Sequence, residues 1–145
     1  MRRAPLRRAL AGVFALAALG AGADDSSVTR GEYLMRAAGC AACHTDVDNG
    51  GAFLAGGRAF ETPFGVFHSP NITPHPAHGI GAWSDEDFVN ALSKGVSPQG
   101  SHYYPVFPYP SYARMRRDDI AHLERIVRTQ CVRAAIFLVE RVDGC

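Results

Sequence analysis

Five consecutive residues of this chain could do chemistry together: Cys40-Ala41-Ala42-Cys43-His44. In the pattern C-x-x-C-H, two thiols can add across the vinyl groups of a haem. The two intervening residues let both sulfurs reach neighbouring vinyls, and the adjacent histidine is held beneath the iron. The expected cofactor is therefore one covalent haem c, bound by Cys40 and Cys43, with His44 as proximal iron ligand. Two other chemistries use paired cysteines. A zinc site needs further ligands at suitable spacing; His75 and His78 could be proposed, but no second C-x-x-C is present. A thioredoxin-like dithiol expects a βαβ setting, whereas this chain reads as helices joined by irregular loops.

The second axial ligand is less constrained. Methionine is the usual choice for electron transfer and raises the reduction potential. Met115 is the only methionine after the histidine. It precedes a helix, in a loop that could fold over the far face of the haem. Its alternative role is a hydrophobic staple for that helix. His102 and His68 are further candidates, and an open sixth position is another outcome. Met35 belongs to a helix before the cysteines and suits a core. His75, His78 and His122 read as solvent-exposed polar residues.

These groups need elements to place them. Thr29-Arg30-Gly31-Glu32 has the form of a capping box opening a helix, and Gly39 would stop that helix just before Cys40. From Asn49 to Trp83, glycines and prolines recur, so little regular structure is expected. Such a long loop is unusual unless it wraps something or carries function. Ser84-Asp85-Glu86-Asp87 is a second helix start, with Gly95 as its end. After the aromatic, proline-rich run from Tyr103 to Tyr112, Asp118-Asp119 caps a third helix whose apolar face is Ile120, Leu123, Ile126 and Val127.

The chain of 145 residues, 47% apolar, suits one folded domain. A formal net charge of +1 gives no sign of a nucleic-acid partner. At the N-terminus, Arg2, Arg3, Arg7 and Arg8 precede the apolar run Leu10 to Leu19 and the small residues Ala21 to Ala23. This is the layout of a secretory leader over residues 1–23, with Asp24 the expected mature start and the periplasm the expected location. The apolar run is short of the ~20 residues that span a bilayer, so membrane contact is expected only peripherally or through a partner. Four cysteines in an exported chain invite a disulfide framework, but Cys131 and Cys145 lie far from the other pair and the spacing does not form one.

Several ordered motifs follow the C-x-x-C-H: Thr62-Pro63-Phe64-Gly65, Ser69-Pro70-Asn71-Ile72-Thr73-Pro74, Gly79-Ile80-Gly81-Ala82-Trp83-Ser84-Asp85-Glu86-Asp87-Phe88, Gly100-Ser101-His102-Tyr103-Tyr104-Pro105, and Phe107-Pro108-Tyr109-Pro110-Ser111-Tyr112. Together, over roughly Thr29 to Leu123, the chain resembles the haem domains of cytochrome c subunits of bacterial membrane-bound alcohol, aldehyde and gluconate dehydrogenases. The resemblance implies an all-α, class I cytochrome c fold: short helices and long irregular loops around one haem. It implies a monohaem domain over residues 24–128 and a divergent tail over 129–145. It also implies an electron carrier rather than an enzyme, with a dehydrogenase as donor and a quinone, cytochrome or oxidase as respiratory acceptor. Many family members have methionine where Phe107 stands, which motivates a second reading, a gas-binding or sensor cytochrome with an open sixth site. Others pair Phe-Pro-Tyr with methionine at the position of Met115. Trp83 is suited to the haem edge or to plain core packing. Asn71 could hold a turn or bond a propionate, and Arg58 could pair with a propionate or stand as a solvated charge.

Overall fold

A long first helix, α1 (Gly22–Ala37), packs across a long last one, α5 (Arg117–Phe137), and this crossing anchors the core. A computed structural model describes residues 22–137, with side chains over 26–130. Residues 1–21 of the expected leader lie outside the described residues, as do the side chain of Cys131 and all of Cys145. Between the two long helices come α2 (Cys40–His44), a 3-10 turn (Val47–Asn49), strands β1 (Ala59–Thr62) and β2 (Gly65–His68), α3 (Asp85–Lys94) and the short α4 (Tyr109–Tyr112).

At the crossing the helix backbones come very close. A Cβ on Gly31 would lie 2.3 Å from the carbonyl oxygen of His122 and 3.1 Å from the Cβ of Ile126, so only glycine fits. Leu34 and Met35 from α1 then meet Ile120, Leu123, Ile126 and Val127 from α5, with Leu54, Ile80, Phe88 and Leu92 closing the cluster. The four predicted α5 residues are each only 1% exposed. Burying side chains of this size stabilises a fold by roughly 1.5–3 kcal/mol each.

Helix α1 begins earlier than the Thr29 box suggests. No glycine or proline interrupts residues 23–30. Helix α3 follows its expected limits: Ser84 and Asp87 form a capping box, and Gly95 ends the helix at φ 66°. Asp118 and Asp119 lie in the first turn of α5 rather than capping it.

The all-α expectation needs one correction. β1 and β2 form an antiparallel hairpin with Phe60 opposite Phe67 and Thr62 opposite Gly65. Two residues, Pro63 and Phe64, make the turn. Thr62 holds it, its hydroxyl donating to the Gly65 carbonyl at 2.8 Å and accepting from the Phe64 N–H at 3.2 Å. Gly65 sits at φ 124°, a conformation that favours glycine. Among the described residues no helix is long and apolar enough to cross a membrane.

Candidate functional site

Gly39, at φ 70°, turns the chain from α1 into α2. Cys40 and Cys43, three residues apart on α2, share a helix face as free, half-buried thiols. Burial pushes the Cys40 thiol up to about 11, so it is protonated at neutral pH. Among the described residues no three His, Cys, Asp or Glu side chains come together as a metal cage.

His44 closes α2. Its Nδ1–H donates to the Pro70 carbonyl at 2.8 Å. A carbonyl can only accept, so Nδ1 carries the proton and Nε2 keeps its lone pair. Burial lowers the pKa of His44, opposed in part by the Pro70 bond. A neutral ring with a free Nε2 and an anchored Nδ1 is the form a metal-ligating histidine takes. Pro70 is held by a close backbone crossing: a Cβ on Gly56 (φ 77°) would lie 2.5 Å from the Pro70 carbonyl carbon, and the Gly56 N–H donates to the His44 carbonyl at 2.8 Å.

The aromatic run is tied to the end of α1. The Tyr112 hydroxyl donates to the carbonyl of Ala38, at the end of α1, at 2.8 Å. Burial raises its pKa, with smaller contributions from Cys40 and Cys43. Phe107 lies 6.0 Å from the Tyr112 ring and 5.7 Å from Tyr103. The Met115 N–H donates to the Tyr112 carbonyl at 2.8 Å, which continues this segment to the start of α5. Ile72, Trp83, Val89, Phe107, Tyr112 and Met115 pack on the core yet keep exposed surface. Two thiols on one face, an oriented imidazole and partly uncovered apolar side chains are groups that fit a flat macrocycle held through sulfur.

Other expected residues have different settings. Asn71 holds a turn: its Oδ1 accepts from the Thr73 N–H and hydroxyl at 2.8 and 2.6 Å. Trp83 packs on the core, and its carbonyl accepts from the Arg128 guanidinium at 2.7 Å. The Arg58 guanidinium donates to the carbonyl of Ala42. His68 donates through Nδ1 to the Gly57 carbonyl at 2.9 Å, and His102 is exposed. His75 accepts from the Ala77 and His78 N–H groups. His122 is a correction: it is half-buried, and its Nδ1 has no partner among the described residues. Sequence reasoning missed Pro70 and Ala38 as acceptors. Both act through backbone oxygens, which leave no trace in residue type.

Comparison with known proteins gives a consistent picture. A family model described as cytochrome c matches residues 28–129. The chain is 47% identical over 104 residues to a diheme cytochrome c-type protein of Cereibacter sphaeroides, an alignment covering 70% of this chain and 35% of that one. It is 47% identical over 98 residues to the cytochrome c subunit of a quinone-dependent alcohol dehydrogenase of Gluconobacter oxydans, covering 68% and 20%. A gluconate 2-dehydrogenase cytochrome c subunit of Pantoea cypripedii is 46% identical over 101 residues, covering 70% and 22%. The alignments thus take in about a third or less of these relatives' lengths.

Proposed function

We propose an electron-carrying role on one premise: the chain belongs to the cytochrome c family. The observation that carries the proposal is the His44 ring, fixed by its Nδ1–H bond to Pro70 with Nε2 left to coordinate. Cys40 and Cys43 would hold the haem through thioether bonds, and Nε2 of His44 would ligate its iron. When bound, the haem supplies reversible one-electron chemistry at iron. The protein's own work is then to fix the imidazole through Pro70, to exclude water with Phe107, Tyr112 and Trp83, and to set burial and ligand identity, which together tune the potential. No acid–base pair or activated nucleophile suggests substrate chemistry by the described residues.

One haem sits on one domain, residues 24–128. The protein is exported to the periplasm, with the leader removed before Asp24. The donor is a dehydrogenase, as the names of the relatives suggest, and the acceptor is a respiratory quinone, cytochrome or oxidase. Met115 is the sixth ligand, supported by its half-buried place on the segment that Tyr112 ties to α1.

Ligation by Met115 is tested on the oxidised holoprotein. A methionine-to-iron charge-transfer band at the red end of the spectrum is expected, and Met115→Ala should abolish it, lower the potential and admit carbon monoxide rapidly to the reduced form. A native protein that itself binds carbon monoxide rapidly would favour the open-site, gas-binding alternative.

A further inference from the structure

The last carbonyls of a helix have no partner within it and need donors from elsewhere. In α2 those donors come from one short segment. Gly56 serves the His44 carbonyl, and the Arg58 guanidinium serves the carbonyl of Ala42, which stands between the two cysteines. The same segment is fastened to the stretch just after β2 that carries the His44 acceptor. The Ser69 N–H donates to the Arg58 carbonyl at 2.9 Å, and the Ser69 hydroxyl accepts from the Arg58 N–H at 3.1 Å. Ser69 directly precedes Pro70.

The guanidinium also lies 5.6 Å over the Phe60 ring, which limits its wandering. Four other arginines are paired: Arg30 and Arg116 with Asp119, Arg117 with Glu86, Arg128 with Glu124. Among the described residues Arg58 makes no ion pair. Its charge is thus aimed at the peptide between the attachment cysteines and is not neutralised by a carboxylate.

We propose that Arg58 is a positioning residue for the cysteine helix and that its unpaired charge, fixed at the Ala42 carbonyl, holds the reduction potential up. This rests on the haem reading of the same site. Reduction adds one electron at iron and lowers the positive charge there, so a fixed cation nearby favours the reduced form. Arg58 is exposed, so the effect weakens as salt screens it.

The test is a redox titration of holoprotein carrying Arg58→Gln, beside wild type and Arg58→Lys, with covalent haem content measured on each sample. Arg58→Gln should lower the midpoint potential, with a shift that shrinks at high ionic strength. Arg58→Lys keeps the charge but loses the planar fork, so it should fall between the two. If Arg58→Gln does not mature, Arg58→Met carries the same test and keeps the stem on Phe60. Haem-loaded, charge-removed protein at the wild-type potential would overturn the proposal alone, even if its melting temperature fell. A wild-type chain that takes up no covalent haem would overturn it together with the haem reading.

Discussion

His44 divides its work between its two nitrogens. Nδ1 anchors the ring to Pro70, and Nε2 is left to coordinate. The motif was fully legible in sequence because its parts are adjacent. The anchor was not, since Pro70 lies 26 residues away and contributes a backbone oxygen. The same holds for Tyr112 on Ala38 and Arg58 on Ala42, contacts of side chains with distant carbonyls. Asp119 is another non-local pairing, and it allows a prediction. Hydrogen bonds from Arg30 and Arg116 pull its carboxyl down to about 2. A depressed carboxylate contributes stability that is complete above its unfolded pKa, ~3.9, and is lost as pH falls through the folded value. Asp119→Asn should therefore be less stable than wild type at neutral pH. That gap should close between about pH 4 and pH 2 in acid unfolding curves. A gap unchanged at pH 2 would mean that the charge is not what Asp119 contributes.

Among the elements, α3 and the buried face of α5 could be read directly. A capping box, a terminal glycine and apolar residues at helical spacing all agreed there. The hairpin could not, because the density of glycine and proline from Asn49 to Trp83 outweighed a weak alternating signal. Phe60 and Thr62 are half-buried while Ala59 and Glu61 are exposed, a period of two that spans only four residues. The α1–α5 crossing depends on Gly31, and here two effects oppose. Alanine is favoured over glycine within a helix by about 1 kcal/mol. Against that, its methyl would meet the His122 carbonyl at 2.3 Å, and separating packed helices costs typically ~1–3 kcal/mol. The clash should win, so Gly31→Ala is expected to destabilise the holoprotein in a urea titration. A stabilised variant would show that the crossing is looser than described.

On the scale of the whole molecule, the described core is a single cluster between two long helices. Between the two lie α2, the hairpin, α3 and α4, joined by long loops. Loops this long are uncommon in a small domain without something to wrap. Ile72, Trp83, Val89, Phe107 and Tyr112 pack on that core while keeping exposed surface. The resemblance supplied the cytochrome fold, and the motif order carried it, since backbone-mediated closure of the site could not be seen in composition or periodicity. The account therefore rests on two thioether bonds within five residues. The most direct measurement is a pyridine haemochrome assay, with intact mass, on protein matured by a periplasmic haem-attachment system. One haem per chain, surviving extraction with acidic acetone and lost in a Cys40→Ala, Cys43→Ala double variant, is the predicted result. A correctly matured chain that is colourless, or that gives up its porphyrin to the acetone, would contradict the account.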